Sequence, residues 1–355
     1  VLNRDTQRVL VGNPADWVIR ANDPRTLTTR GASAYVKLAE GCNRSCAFCV
    51  IPHLRGKQRS RTPDDIVSEV EALVARGVLE VNLISQDTIA YGRDRDGEVD
   101  LATLVRRIAD VKGIRWVRVH YLYPETLTEP LTDLLAQHPQ VLPYVDMPLQ
   151  HASDPMLRRM KRGHGGKRLR TLVERLRTRV ERLVFRTAFI VGHPGESEQD
   201  FAELVDFVKW AEFDRMGVFS YSDEPGTASH DQDEKVTPKV TATRARQLMA
   251  VQRKISRKKN RQLVGQVLDV LVEGPSEESD LVMVGRHAGQ SPEIDGMVYL
   301  SGDVGGAGRI VSARVASATD YDLMAEVVVE SDTPEATLPR EPKPKKAEPR
   351  RLQVV

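Results

Sequence analysis

Residues 41–49 read Gly41-Cys42-Asn43-Arg44-Ser45-Cys46-Ala47-Phe48-Cys49 and hold all three cysteines of the 355-residue chain, in the spacing C-x3-C-x2-C. Three thiolates on so short a loop can each ligate one iron of a four-iron, four-sulfur cluster, for which Cys is the usual ligand. The fourth iron then has no protein ligand. An open coordination position leaves room for a cofactor or substrate, whereas structural sites are closed by a full ligand set. A second reading uses the same residues as a structural zinc site completed by His53. A zinc ribbon would bring a second paired half, and here Arg55, Arg59 and Arg61 follow instead. Small buried thiols are common in cores, but that does not explain three within eight residues, and an odd, sparse count leaves no disulfide framework.

Outward from the loop, the chain alternates. Ala32 to Leu38 reads as a strand leading into it. Thr62-Pro63-Asp64-Asp65 carries a cap, a first-turn proline and acidic residues for the positive end of a helix that stops at Gly77. Val78 to Ser85 is an apolar, β-branched run suited to a strand buried on both faces. Helices over 101–110, 130–137, 167–182 and 197–211, with another after Ser153-Asp154-Pro155, alternate with strands over 114–121, 142–147, 183–191 and 215–221. Six strands separated by helices imply parallel pairing, hence an α/β fold built on a TIM-like (β/α)6 partial barrel with its chemistry at the C-terminal strand ends. A basic helix over 242–263 closes this unit, expected to span 28–259. Short strand-like runs at 267–272, 281–284, 297–300, 309–316 and 324–329 then predict a small β-barrel over 262–327. Residues 1–27 read as a remnant or linker, and 331–355, rich in Pro, Glu, Lys and Arg, as a disordered charged tail.

Composition narrows the class less than it excludes. At 40% hydrophobic, 29% charged and a net charge of +2, the chain is ordinary globular material. Any nucleic-acid surface would have to be a local patch. No apolar run reaches the roughly 18 residues of a membrane span, and three unpatterned cysteines suit a reducing compartment, so a cytoplasmic setting and no membrane partner are expected. Polar motifs follow the strands. Gln86 and Asp87 can hydrogen-bond a small ligand, with a turn cap as the competing role for Asp87. Thr187 to Glu196 is a strand, a glycine turn at Gly192 and a helix start, where glycine permits close backbone approach. His120, Tyr121, Tyr123, Gln150 and His151 stand at neighbouring strand ends and can line a polar pocket. The basic clusters over 158–182 and 244–261 read mainly as solvated helix faces.

The cysteine spacing, with Phe48 before the last Cys, resembles the signature of radical S-adenosylmethionine enzymes. Ala39-Glu40-Gly41-Cys42-Asn43 before the loop and Ile51 to Gly56 after it are similar to the methylthiotransferase branch. Ser85 to Gly92, Pro148 to Ser153 and Pro292 to Leu300 resemble the RimO type, which methylthiolates an aspartate of small ribosomal subunit protein twelve. The MiaB type, acting on an adenosine of transfer RNA, is the alternative, as is an RNA-binding protein with a structural metal site.

The resemblance covers about residues 33–327 and implies a radical S-adenosylmethionine domain followed by a TRAM domain. It implies one 4Fe-4S cluster on Cys42, Cys46 and Cys49 with an open iron, and S-adenosylmethionine as cofactor, cleaved to a 5′-deoxyadenosyl radical. Gln86 and Asp87 fall on its methionyl side, and Ile190, Gly192 and Glu196 on its adenine side. The implied partners are ribosomal protein twelve, free or in the ribosome, an electron donor such as a flavodoxin or ferredoxin, and RNA or the protein substrate at the TRAM domain. His193 and Met324 stand where the family usually has Phe and Trp. Family members carry three further cysteines and a second cluster in an N-terminal domain, so a truncated record is expected. The resemblance transfers no residue of the chemical step.

Overall fold

The computed structural model describes residues 18–95, 99–163 and 165–328. Most of the expected remnant at 1–27, up to residue 17, and the whole charged tail at 331–355 lie outside these residues. In chain order the elements are β1 (Ser33–Lys37), β2 (Ala39–Glu40), α1 (Ile51–Arg55), β3 (Arg59–Ser60), α2 (Pro63–Ala75), β4 (Glu80–Ile84), α3 (Leu101–Ala109), β5 (Trp116–Val119), α4 (Glu129–Gln137), β6 (Val141–Asp146), α5 (Asp154–Arg159), α6 (Gly166–Arg179), β7 (Val184–Val191), α7 (Glu198–Ala211), β8 (Arg215–Ser220) and α8 (Pro238–Arg261). A second unit follows with β9 (Val267–Pro275), β10 (Met283–His287), β11 (Val298–Ser301), β12 (Ile310–Ala318) and β13 (Leu323–Val327).

Local chemistry accounts for the helix starts. Thr62 accepts from the Asp65 N–H at 3.3 Å ahead of Pro63, Asp100 accepts from the Thr103 N–H at 2.8 Å, and Ser197 and Asp200 form a reciprocal capping box. The basic helix α8 starts four residues before its expected beginning at 242, because Thr237 and Pro238 repeat the Thr-Pro signal of α2. The strand expected over 281–284 is displaced to β10, and Leu281 lies in an exposed turn before it.

Strands β1, β4, β5, β6, β7 and β8 pair in that order, all in parallel, into a sheet that is not closed on itself. Alternate side chains point to opposite faces of a strand. Val36, Val81, Leu83, Val117, Val119, Val145, Phe185 and Phe189 pack with Ile66, Val70, Leu73, Leu104, Ile108, Leu134 and Leu176 of the covering helices in one hydrophobic core. The other face is polar. Ser33, Glu80, Asn82, Arg118, His120 and Asp146 are all buried there, so β4 is buried on both faces as expected, but one of those faces is polar.

The second unit is a closed barrel in the order β10-β11-β13-β12-β9 around Val270, Val272, Val298, Leu300, Val315 and Leu323. Its β10–β11 connection, residues 288–295, fills the polar face of the larger sheet. Arg118 donates to the carbonyls of Ala288 at 3.1 Å and Gln290 at 2.9 Å. Tyr144 donates to Asp295 at 2.7 Å, Tyr35 to the Pro292 carbonyl at 3.2 Å, and Ser291 meets His120 at 3.3 Å. Buried Glu80 links Arg118, at 3.0 Å, to Arg286 of β10, at 2.5 Å. Burial alone would raise the Glu80 pKa, but the two guanidinium groups outweigh it and hold the carboxyl down at about 2.

Candidate cluster and cofactor site

The cysteine loop leaves the sheet at the C-terminal end of β1 and is clasped by the β2–β3 ribbon, Ala39 opposite Ser60 and Glu40 opposite Arg59. The Cys42 N–H donates to the Gly56 carbonyl at 3.1 Å, and the Asn43 side chain accepts from the Gln58 N–H at 3.1 Å. Gly41 has φ +77°, and a Cβ there would stand 2.2 Å from the Lys57 carbonyl oxygen, so only glycine admits this entry. The middle of the loop is tied from outside. The Ala47 N–H donates to the Met160 carbonyl at 3.0 Å, and the Ala47 carbonyl accepts from the Ser229 N–H at 2.8 Å.

Cys42 is buried, while Cys46 and Cys49 are partly exposed toward the mouth. Burial pushes the Cys42 thiol up, helped by Asp87 and the other two thiols and opposed by the Arg44 N–H on its sulfur at 3.4 Å. Burial also raises the Cys49 thiol, against the Ile51 N–H and, more weakly, Arg162. Metal must displace these protons, so ligation here is coupled to pH. Among the described residues no three Cys, His, Asp or Glu side chains converge on one ion-sized position, and His53 sits exposed on α1. A cluster asks only that each sulfur reach its own iron.

Beside the loop, Asp87 accepts from Arg44 at 2.6 Å through one oxygen, while its other oxygen and the side-chain amide oxygen of Gln86 are buried with no hydrogen-bond partner. Buried polar atoms are normally satisfied. Two orphaned acceptors next to three thiols fit a ligand that brings N–H or O–H donors, such as the ammonium and ribose of S-adenosylmethionine. Ile190, partly exposed, stands at the end of β7 on the same strand-end rim.

Gly192 and Glu196 are placed differently. Gly192 has φ +77°, and a Cβ there would lie 2.1 Å from the Thr241 hydroxyl of α8, so close helix packing demands the glycine rather than approach to a ligand. The Glu196 side chain is fully buried; it accepts from the Gly192 N–H, from Arg244 at 3.0 Å and faces His151 at 3.4 Å. Its carboxylate is committed within the protein and acts on the site by holding the Gly192 turn. His193 is buried too, with Nε2 2.8 Å from the Ser229 hydroxyl and its ring edge-on to Tyr221. Burial lowers its pKa to about 4, which keeps the imidazole neutral.

The expected polar pocket of His, Gln and Tyr is not formed as such. His120 is bound to Asp146 at 3.2 Å and His151 to Glu196, both buried, whereas Tyr121 is 47% exposed. Sequence reasoning placed Tyr123 in that pocket but missed Arg44 and Arg162, which with Tyr123 crowd the thiols, and it read the clusters over 158–182 and 244–261 mainly as solvated faces although Arg162 and Arg244 are buried. A cavity of about 1210 Å³ opens among Trp116, Arg215, Lys259 and His287. It lies at the N-terminal strand ends, opposite the cysteines, and so is not the cofactor site.

Residues 36–208 match the radical SAM superfamily and residues 264–328 the TRAM domain. The ribosomal protein uS12 methylthiotransferase RimO of Sorangium cellulosum is 60% identical over 94% of this chain and 70% of its own length. The enzyme of the same name from Myxococcus xanthus is 46% identical over 92% of this chain and 68% of its own. Among solved structures, coproporphyrinogen III oxidase (HemN) of Escherichia coli is 17% identical and covers 64% of this chain and 53% of its own, with a TM-score of 0.46.

Proposed function

The chain belongs to the RimO-type ribosomal protein uS12 methylthiotransferases of the radical S-adenosylmethionine superfamily, and we propose that it attaches a methylthio group to the β-carbon of an aspartate of uS12. It is a transferase that works with S-adenosylmethionine and a 4Fe-4S cluster. The observation that carries the reading is the pairing of the Cys42, Cys46, Cys49 loop with two orphaned buried acceptors, on Gln86 and Asp87.

In this reading the three cysteines are the cluster ligands. When bound, the cluster supplies the low-potential electron that cleaves S-adenosylmethionine. Gln86 and Asp87 hold the cofactor's methionyl end, with Asp87 aimed by Arg44. Ile190 packs against the adenine, and Glu196 fixes the Gly192 turn beneath it. The 288–295 connection occupies the polar face of the sheet, which keeps water from entering the site from below. The TRAM barrel presents the protein substrate, a flavodoxin or ferredoxin delivers the electron, and the reduced thiols suit a cytoplasmic setting.

Anaerobic reconstitution tests the cluster. The chain should hold about four irons, and Cys46→Ala should lose them. Mass spectrometry of uS12 and of transfer RNA from a deletion strain tests the substrate: the methylthio group should vanish from uS12. Its loss from transfer RNA alone would reassign the substrate to RNA.

A further inference from the structure

The most densely charged corner of the site is built by residues that neither ligate nor line the cofactor position. Arg162 is only 7% exposed. Its guanidinium donates to the Cys46 sulfur at 3.4 Å and to the Pro148 carbonyl at 3.0 Å, and it lies 4.0 Å from the centre of the Tyr123 ring. Arg44 lies 3.8 Å from the same ring centre. Both guanidinium groups thus lie against the Tyr123 ring. The two cations are not equivalent. Arg44 is matched by Asp87 at 2.6 Å and Glu125 at 3.8 Å, whereas Arg162 directs its donors at a sulfur and a carbonyl oxygen.

A guanidinium is charged at any working pH, and an aromatic face holds a desolvated cation in place. A reduced cluster carries one more negative charge than the oxidised one. Hydrogen bonds to cluster sulfurs, nearby charge and burial are the levers by which a protein sets that potential. Arg162 combines all three at one ligand. We propose that Arg162, stacked on Tyr123, raises the reduction potential of the cluster through its hydrogen bond to Cys46, as a positioning residue and not a ligand; this rests on the assignment of Cys42, Cys46 and Cys49 to the cluster.

The test is a potentiometric titration of the reconstituted 355-residue chain, followed by electron paramagnetic resonance without S-adenosylmethionine, with iron and sulfide counted for every variant. Arg162→Gln should lower the ratio of reduced to oxidised cluster at fixed potential about tenfold, a shift of about 59 mV to more negative values for one electron. Arg162→Lys keeps the charge but loses the planar fork and should shift less. Tyr123→Leu leaves the guanidinium without its seat and should shift in the same direction. An unchanged midpoint in Arg162→Gln at full iron content overturns the proposal. If that variant takes up no iron, unchanged midpoints in both Arg162→Lys and Tyr123→Leu overturn it. An unsubstituted chain that holds no cluster refutes the ligand assignment and the proposal together, while a full cluster indifferent to Arg162 refutes the proposal alone.

Discussion

Replacing Glu80 with Gln should destabilise the protein by about 3 kcal/mol at pH 7. The carboxylate is fully buried between Arg118 of β5 and Arg286 of β10, and its pKa is about 2 against an ordinary 4.5. At about 1.36 kcal/mol for each tenfold in proton affinity, that gap is worth roughly 3 kcal/mol. An independent route agrees: removing one partner of a buried ion pair costs about 3–5 kcal/mol, since the remaining charge is left uncompensated. The folded pKa is depressed, so this stabilisation is fully present above about pH 4.5 and is lost as pH falls toward 2. Urea unfolding followed by tryptophan fluorescence is a suitable assay, because Trp116 packs with Leu271 where the two units meet. The midpoint should fall with Glu80→Gln, and cleavage within 288–295 by added protease should speed up, because Arg286 and Arg118 together anchor that connection. Glu80→Gln combined with Arg286→Met should recover part of the loss. A Glu80→Gln protein within about 0.5 kcal/mol of the parent, the range of an inert surface substitution, would refute the reasoning.

Gly192→Ala should cost at least about 2 kcal/mol, from a left-handed φ and a Cβ 2.1 Å from the Thr241 hydroxyl; Thr241→Ala should return the steric part only, and thermal unfolding of the single and double variants checks both. Gln86→Ala should weaken S-adenosylmethionine binding by about 0.5–1.5 kcal/mol, the worth of one hydrogen bond, with iron content unchanged; equal affinity by calorimetry would remove Gln86 from the site. His193, with a pKa near 4 against 6.5, is neutral when folded and protonates when unfolded, so the metal-free protein should lose stability as pH drops from 6.5 toward 4. A His193→Phe, Ser229→Ala pair, which removes the imidazole and its hydroxyl partner together, should flatten that slope, and an equal slope would show that His193 does not contribute it.

The cysteine loop and the alternation of strands with helices were legible because their causes are local. A cap such as Thr62 or Ser197 lies within three residues of the N–H it accepts from, and the thiols lie within eight residues of one another. The same local signal at Thr237-Pro238 was present and overlooked. What could not be read is the long-range part. Glu80 meets Arg286 across 206 residues and Arg162 meets Cys46 across 116, and nothing in either neighbourhood names the partner. A run such as Glu80 to Ile84 looks apolar because Val81 and Leu83 face the helices, while the residues between them are polar for a reason supplied by another domain. Gly192 and Glu196 follow the same rule: the local turn was visible, but Thr241 and Arg244, which decide what that turn is for, come from α8.

These long-range contacts make the small barrel part of the site's construction. An open parallel sheet has an inner face that must be filled by side chains, by water or by another segment, because buried polar groups left without partners cost about 1–3 kcal/mol each. Here the filling comes from 288–295, whose carbonyls satisfy Arg118 and Arg286 and whose Asp295 satisfies Tyr144. Below the mouth the polar face is thus closed by fixed hydrogen bonds. At the mouth, acceptors of Gln86 and Asp87 are left open beside three thiols. The two acceptors at the mouth and the three thiols lie together at the strand C-termini. The contacts of 288–295 with Arg118, Tyr144 and Tyr35 tie the small barrel to the inner face of the sheet as well as through α8.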